Sequence, residues 1–350
     1  MNRATSTTME LPARALARLI ARGESLGPLS GVPVTIKECL DVAGTPSTFG
    51  VLSRRTHRAQ SDDAHVARLK AAGAIIVGKT NVAQLLAFVE TDNPVYGKTC
   101  NPWNRDRIAG GSSGGEGAII AAGGVPLGLG TDIGGSVRYP AAFCGIASLK
   151  PTAGRCEDRG RYSFHPGQRA IASQVGVLAR HVDDVAAGLD AINGGPPIPD
   201  WRSVDMTRMR VGFYLEDGVF ASSTAIRRSV AEAAEVLKDA GATVIPWQPP
   251  ETARAFAMAY GILGADGMQW FRDILQGGPA HPSVNLLLML GGKPRAMLNA
   301  MAAVAGMLGQ ASLARSLAAA PRACQRIGIL GAGRSTGSLP RDIPGRARPM

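Results

Sequence analysis

The sequence predicts an α/β protein in which a mostly parallel sheet is covered by helices. Short apolar runs with strand character alternate with stretches of helical spacing, beginning with 31–36 (GVPVTI), 63–73 (DAHVARLKAAG) and 74–80 (AIIVGKT). This alternation is typical of strands joined by helices within one sheet. With 350 residues, 45% of them hydrophobic, the chain can fill a sizeable core.

The same alternation continues to about residue 250 and then gives way to helices. The further predicted elements are strands over 125–132 (VPLGLGTD), 209–215 (MRVGFYL) and 242–246 (ATVIP), and a helix over 224–239. From 250 to 320, Ala, Leu and Met recur at helical spacing. The most apolar part, 284–309, is divided by GGKP at 291–294, so it predicts two short helices rather than one membrane span.

The net charge of +11 does not indicate a nucleic-acid partner. Six arginines against Asp342 in the segment 321–350 account for +5 of it. That segment has no aromatic residue on which a base could stack, and no long basic run occurs elsewhere. We therefore expect no nucleic-acid binding.

The cysteines and the first residues indicate neither a metal site nor export. Five cysteines are present, and no two of them form a C-x-x-C pair, so neither a disulfide framework nor a zinc site is supported. Charged side chains interrupt residues 1–27, which leaves no apolar run as long as a signal peptide or a membrane span. We expect a cytoplasmic protein without a bound metal.

Two short motifs match known patterns only in part. Residues 73–80 (GAIIVGKT) fit the phosphate-loop pattern, but the residues between the glycines are apolar and strand-like. The run 110–115 (GGSSGG) fits G-x-S-x-G, the nucleophile turn of Ser-His-Asp hydrolases. That reading needs a histidine base, and His165, His181 and His281 all lie in ordinary sequence contexts, so it stays open without support.

Three blocks carry residues suited to acyl-transfer chemistry. Lys37 ends an apolar strand, where burial would lower its pKa and let it act as a base. A pair of serines lies within 109–118 (AGGSSGGEGA). In 131–145 (TDIGGSVRYPAAFCG) a glycine run precedes Ser136, and such a run lets several backbone N–H groups point at one oxyanion. Ser136 is expected at the start of a helix.

These blocks resemble the amidase signature family, whose hallmark is a Ser-Ser-Lys triad in a core rich in glycine and serine. Lys37 and Ser112 are 75 residues apart, and Ser112 and Ser136 are 24 apart. GVPVTIKEC, NPVYGKTCNPW, GGSSGGEGA and LGLGTDIGGSVRYPAAFCGI are similar to the fatty-acid amide hydrolase branch. The resemblance runs from about Gly27 to about Ala320 and implies the family fold, a mostly parallel mixed sheet with helices on both faces.

The resemblance implies a role for each matched residue and no cofactor. Ser136 would attack the substrate carbonyl, and Ser112, preceded by a cis peptide bond, would relay the proton to neutral Lys37. The implied oxyanion-hole donors are the backbone N–H groups of Ile133, Gly134, Gly135 and Ser136. The implied supporting residues are Ser113, Thr131, Asp132 and Arg138, and the expected substrate-binding residues are Leu86 and Val89.

Plainer readings exist for the same residues. Alone, Lys37 would be interpreted as a surface lysine paired with Glu38, and the serine pair 112–113 as a helix N-cap. The three blocks together favour the catalytic interpretation. Cys144 is expected to be a small core residue rather than a nucleophile.

The resemblance favours a lipophilic acyl amide or ester as the small-molecule substrate and leaves small aryl amides open. The apolar segments 85–89 and 286–308 agree with a lipophilic substrate. Peripheral membrane contact through 284–308 and a homodimer are also left open. The alternative function is that of the amidase component of a glutamine-dependent tRNA amidotransferase, which passes ammonia to a partner.

The resemblance also divides the chain into three segments. We expect a helical N-terminal remnant over 1–30, an amidase signature domain over 31–320 that lacks its C-terminal part, and a disordered Arg-, Gly- and Pro-rich tail over 321–350. An incomplete domain would expose sheet edges and apolar surface. The third reading is therefore a truncated, inactive amidase remnant.

Overall fold

A computed structural model describes residues 21–22, 27–156, 170–196, 198–291 and 295–307. Most of the predicted segment 1–30, the end of 31–320 and all of 321–350 lie outside the described residues.

Strands and helices alternate along the first part of the described chain and helices follow. The strands are β1 (Pro33–Lys37), β2 (Ile75–Thr80), β3 (Leu127–Asp132), β4 (Ala147–Leu149), β5 (Gln174–Ala179), β6 (Arg210–Phe213) and β7 (Thr243–Pro246). The α-helices are α1 (Ala64–Ala71), α2 (Gly114–Ala121), α3 (Arg138–Cys144), α4 (Val182–Asn193), α5 (Thr224–Asp239), α6 (Thr252–Leu263), α7 (Gln269–Leu275), α8 (Pro282–Leu290) and α9 (Arg295–Met307). Short 3₁₀ turns occupy Leu52–Arg54, Gln84–Leu86, Trp201–Ser203 and Met206–Arg208.

The elements predicted from the sequence up to residue 250 are confirmed. The run 74–80 is a strand, which excludes a phosphate loop there. The predicted helix over 224–239 is present with the same bounds, and Ser223 accepts a hydrogen bond from Ile226 N as its N-cap. Farther along, α8 ends at Leu290 and α9 begins at Arg295, so two helices are present as predicted. Within the part of the chain that the structure describes, no helix is long and apolar enough to cross a bilayer.

The main sheet has five strands in the order β2-β1-β3-β5-β4. β1 pairs in parallel with both β2 and β3, while β5 runs antiparallel to β3 and β4. β6 and β7 form a separate parallel pair with α5 between them in the chain. The sheet is therefore mixed, with its parallel part at β2-β1-β3.

One face of this sheet is covered by α1 and α4 and is apolar. The strands contribute Val34, Ile36, Leu127, Leu129, Val175 and Val177 to it. The helices contribute Val66, Leu69, Val185, Leu189 and Ile192. Side chains alternate between the two faces of a strand, so the residues between these point to the other side.

The opposite face is covered by α2, which contacts β1, β3 and β5 and packs against α3. Ile120 of α2 is buried there with Leu178 of β5. Gly130 lets the start of α2 approach β3 closely, because a Cβ at this position would lie 2.8 Å from Ser113 Oγ. On this face β1 presents Thr35 and Lys37, and the candidate site lies between the strand ends and α2.

Candidate active site

Lys37 is the last residue of β1, and its side chain is wholly buried under α2. Its Nζ lies 2.8 Å from Ser112 Oγ, 2.9 Å from Thr131 Oγ1 and 3.2 Å from the Thr131 carbonyl oxygen. The structure thus brings together two residues that are 75 positions apart in the sequence, and Thr131 of β3 is a second partner of Lys37.

The plainer interpretation of Lys37, a surface lysine paired with Glu38, is wrong. Lys37 has no exposed surface. Successive side chains of a strand alternate between its faces, so Glu38 is directed away from Lys37. There the Glu38 carboxylate accepts hydrogen bonds from the backbone N–H groups of Thr48 and Phe49 and from the Tyr96 hydroxyl. The alternation of faces at the end of β1 separates the two side chains.

The serine pair lies between the sheet and the start of α2. The peptide bond between Gly111 and Ser112 is cis, as the resemblance implies. Ser113 occupies the N-cap position of α2 without a capping hydrogen bond from its side chain. Its Oγ lies 3.4 Å from the Thr131 carbonyl oxygen, and its N–H donates to the carbonyl oxygen of Ser136 at 3.2 Å. Ser113 therefore links the serine pair to the Ser136 loop.

The loop that carries Ser136 is held by the buried carboxylate of Asp132 at the end of β3. Asp132 accepts hydrogen bonds from the backbone N–H of Gly135 at 2.7 Å and of Val137 at 3.1 Å. Arg138 adds a bidentate pair at 2.9 and 3.0 Å. Burial alone would raise the pKa of Asp132, but these bonds outweigh it and lower the pKa below its ordinary value.

The geometry narrows the set of expected oxyanion donors. The N–H of Gly135 is directed at Asp132, so it is already engaged. The backbone N–H groups of Ile133, Gly134 and Ser136 are the other members of the set implied by the resemblance. Ser136 precedes α3 by two residues, which confirms the prediction that it lies at the start of a helix.

A small pocket opens at this point between the loop and the sheet. It is lined by Leu86, Ser112, Thr131, Ile133, Ser136 and Ser173. Ser136 is half-buried, whereas Ser112 and Lys37 lie deeper and are buried. Of the two expected substrate-binding residues, Leu86 lines the pocket, and Val89 is 40% exposed with its backbone against Gly111.

Two polar residues at the site were not identified from the sequence. Ser173 reaches the pocket just before β5, and no sequence motif marks it. Glu116 of α2 is fully buried and accepts hydrogen bonds from the hydroxyls of Thr35 and Thr80, both at 2.6 Å. Burial raises the pKa of Glu116 to about 7, against the lowering effect of its two hydroxyl partners and of Lys37.

The other candidate groups lie away from the pocket lining. His181 is exposed before α4, and His281 at the start of α8 accepts a hydrogen bond from the Ser283 N–H. His165 lies outside the described residues. Burial raises the pKa of the Cys144 thiol to about 11, and its Sγ donates to the Ala109 carbonyl oxygen, so it is a core residue as expected. No group of three or more His, Cys, Asp or Glu side chains within the described ranges could hold a metal ion.

Comparison with known proteins identifies a family model and similar sequences. A family model described as Amidase matches residues 2–326. The chain is 40% identical over 279 residues to "Fatty-acid amide hydrolase 1" of Sus scrofa, and the match covers 76% of this chain and 48% of that protein. It is also 40% identical over 247 residues to a subunit of the glutamyl-tRNA(Gln) amidotransferase of Rhodopirellula baltica, and that match covers 66% of this chain and 48% of the relative.

A solved structure described as "Fatty acid amide hydrolase" has a TM-score of 0.72 at 32% identity. The match covers 78% of this chain and 50% of that one. The chain spans about half the length of the curated relatives it matches.

Proposed function

Since the chain belongs to the amidase family, we propose that it hydrolyses the C–N bond of carboxylic amides with Ser136, Ser112 and Lys37 as catalytic residues. The observation that carries the proposal is the 2.8 Å contact between Lys37 Nζ and Ser112 Oγ. This contact lies beneath a pocket that Ser136 lines. The order of burial matches a relay in which the base is deepest and the nucleophile is nearest to the substrate.

In this proposal Lys37 is the base. Its complete burial disfavours the charged ammonium form. A neutral amine has two N–H donors and one lone pair. In this proposal the two N–H groups donate to the carbonyl oxygen and the hydroxyl of Thr131, and the lone pair accepts the proton of Ser112.

Acylation then follows with all protons accounted for. Ser136 Oγ passes its proton to Ser112 Oγ while Ser112 passes its own proton to Lys37, and Ser136 Oγ bonds to the carbonyl carbon. The N–H groups of Ile133, Gly134 and Ser136 stabilise the oxyanion, for which one donor is typically worth about 3 to 4 kcal/mol.

Collapse of this intermediate breaks the C–N bond. The proton held by Lys37 returns through Ser112 to the leaving nitrogen, the amine departs, and an acyl ester remains on Ser136. Water, activated by the same two groups, hydrolyses the ester and restores the resting site.

For the substrate we propose an amide with a lipophilic acyl group. The similarity to a protein named fatty-acid amide hydrolase supports this class. The apolar side chains of Leu86 and Ile133 beside Ser136 agree with it, since they offer no partner to a charged substrate group.

The amidotransferase relative favours a second candidate function. In that case the same residues would release ammonia from glutamine, and the similarity to a protein named as part of an amidotransferase supports it. The two candidates differ in the acyl group that the pocket accepts, and both keep Ser136 as the nucleophile.

A fluorophosphonate probe, read by intact mass, tests the proposed nucleophile. We expect one label on the wild-type chain and none on Ser136→Ala. Ser173→Ala is the matched control, because Ser173 is a second serine hydroxyl in the lining of the same pocket, and this variant should label like the wild type. Labelling of Ser136→Ala, or a label mapped to Ser173, would contradict the proposal.

Ammonia release distinguishes the two substrate classes. A long-chain primary amide and glutamine are offered to the same preparation at equal concentration. Preference for the long-chain amide supports the lipophilic substrate, and preference for glutamine supports the amidotransferase candidate. Release from both must vanish in Ser136→Ala.

A further inference from the structure

Glu116 is a buried carboxyl group that the proposed mechanism does not use. It lies on α2, four residues after Ser112, and has no exposed surface. Its two oxygens accept hydrogen bonds from the hydroxyls of Thr35 and Thr80. Burying a carboxyl group is costly compared with burying an amide or an apolar group of the same size, so its presence calls for a function.

The partners of Glu116 place it on the same face of the sheet as Lys37. Thr35 precedes Lys37 by two residues on β1, so both side chains point to the same face of the sheet. Thr80 is the register partner of Lys37 on β2. The carboxyl group therefore lies under α2 at the same end of the parallel strands as the amine.

The sheet leaves a space for this carboxyl group. Gly128 is the register partner of Thr35 on β3. A Cβ at Gly128 would lie 2.0 Å from Glu116 Oε2. The absence of a side chain at that position is thus what allows the carboxyl group to reach the strands.

The surroundings of Glu116 accommodate both of its protonation states. Hydroxyl groups can donate to a carboxylate or accept from a carboxylic acid, so Thr35 and Thr80 suit either form. Within the described chain, Lys37 in its ammonium form would favour the carboxylate form of Glu116. The other lysine nearby, Lys79 of β2, donates to the Pro46 carbonyl oxygen instead.

We propose that Glu116 is a positioning residue for the base: it sets the charge of Lys37 by stabilising the ammonium form that Lys37 takes on when it accepts the serine proton. This inference rests on the role given to Lys37 in the proposed function. Without the carboxylate, the same proton transfer would create an isolated charge in a buried site. The alternative is that Glu116 only ties α2 to the strands, as a glutamine would.

The coupling between the two groups can be measured without turnover. Infrared difference spectra of the folded chain follow the carboxylic-acid band of Glu116 across a pH titration, and Glu116→Gln identifies the band by its loss. We expect a midpoint near pH 7. In Lys37→Met the midpoint should move to higher pH, because the amine that can take up a proton and face the carboxylate as an ammonium group is gone. An unchanged midpoint in Lys37→Met would overturn the proposal.

A pair of threonine variants supplies the assignment if Glu116→Gln does not fold. Thr80→Val removes one hydroxyl partner and should raise the same midpoint, since that hydrogen bond lowers the pKa of Glu116. Thr80→Ser keeps the hydroxyl and should titrate like the wild type. A band whose midpoint is the same in Thr80→Val as in the wild type does not belong to Glu116. If no other carboxylic-acid band titrates, the proposal fails.

The consequence for the base is read from the pH profile of fluorophosphonate labelling. In Glu116→Gln we expect the plateau rate to fall about tenfold and the acid limb to move to lower pH, since protonated Lys37 has lost its counter-charge. A merely structural role would lower the plateau and leave the limb in place, which would contradict the inference.

The two proposals can fail separately. If the wild-type chain takes no label at any pH, the proposed function fails, while the infrared titration still decides whether Glu116 and Lys37 are coupled. If the chain is labelled normally and the titration midpoint is the same in Lys37→Met as in the wild type, only the inference about Glu116 fails.

Discussion

The two faces of the five-stranded sheet differ in polarity, although the same strands form both. Val34 and Ile36 of β1 enter an apolar core under α1 and α4, whereas Thr35 and Lys37 enter a buried polar layer under α2. A strand places successive side chains on alternate faces, so one five-residue segment serves both. Along β1, substitutions on the apolar face should therefore change the free energy of unfolding, and substitutions on the polar face should change the proposed chemistry.

Lys37→Met, on the polar face, should have the largest effect on the proposed chemistry. We expect fluorophosphonate labelling of Ser136 to fall by about 10⁴-fold, the scale of losing one member of a catalytic triad. The free energy of unfolding should stay the same or rise, because a buried amine is replaced by an apolar side chain. If Lys37→Met is labelled at the wild-type rate, Lys37 is not the base.

Ile36→Ala, on the apolar face, should reduce stability instead. Ile36 is wholly buried, and truncating a buried isoleucine costs about 2 to 5 kcal/mol of the free energy of unfolding. Chemical denaturation measures the loss. At a temperature where the variant is folded, labelling of Ser136 should be near the wild-type rate, and a loss as large as that of Lys37→Met would show that the faces are not separable.

Gly128→Ala probes the space beside the polar layer. The added Cβ would meet Glu116 Oε2, so the carboxyl group must move or the strand must shift, at a cost of about 1 to 3 kcal/mol. The double variant with Glu116→Ala should recover most of that loss, because the clashing group is gone. Losses that simply add would mean that the glycine is needed for another reason.

The pH dependence of stability should show opposite contributions from two carboxyl groups of the site. The pKa of Asp132 is lowered on folding, so its stabilisation is present at neutral pH and is lost as the pH falls through the folded pKa. The pKa of Glu116 is raised from 4.5 to about 7, so the folded state binds an extra proton in between and stability falls as the pH rises across that range.

Urea unfolding measured from acid to neutral pH checks both signs with Asp132→Asn and Glu116→Gln. Asp132→Asn should flatten the acid branch, and Glu116→Gln should flatten the decline toward neutral pH. The reverse pattern would mean that the environments of the two groups have been assigned wrongly.

Local periodicity was enough to predict the parallel part of the fold. β1, β2 and β3 are apolar runs bounded by glycine or by helical spacing, and all of them are present. β4 and β5 were not predicted, because β4 has three residues and β5 pairs with it through contacts that local sequence does not encode.

The candidate site was predictable to the extent that it lies within recognisable motifs. Lys37, Ser112 and Ser136 lie in three blocks that resemble the amidase signature family, and this resemblance draws attention to them. Glu116 lies inside one of these blocks, yet only the fold shows that its partners come from β1 and β2. The use of the Gly135 N–H by Asp132 likewise depends on the path of the loop in three dimensions.

The increasing burial from Ser136 to Lys37 has a consequence for proton exchange with solvent. Lys37 is buried between the sheet and α2, and its amine contacts two residues of the pocket lining, Ser112 and Thr131. In the proposed reaction the tetrahedral intermediate on Ser136 covers this site, and the proton held by Lys37 passes through Ser112 to the departing nitrogen. Burial of the amine should therefore slow exchange of that proton with bulk water during the short life of the intermediate.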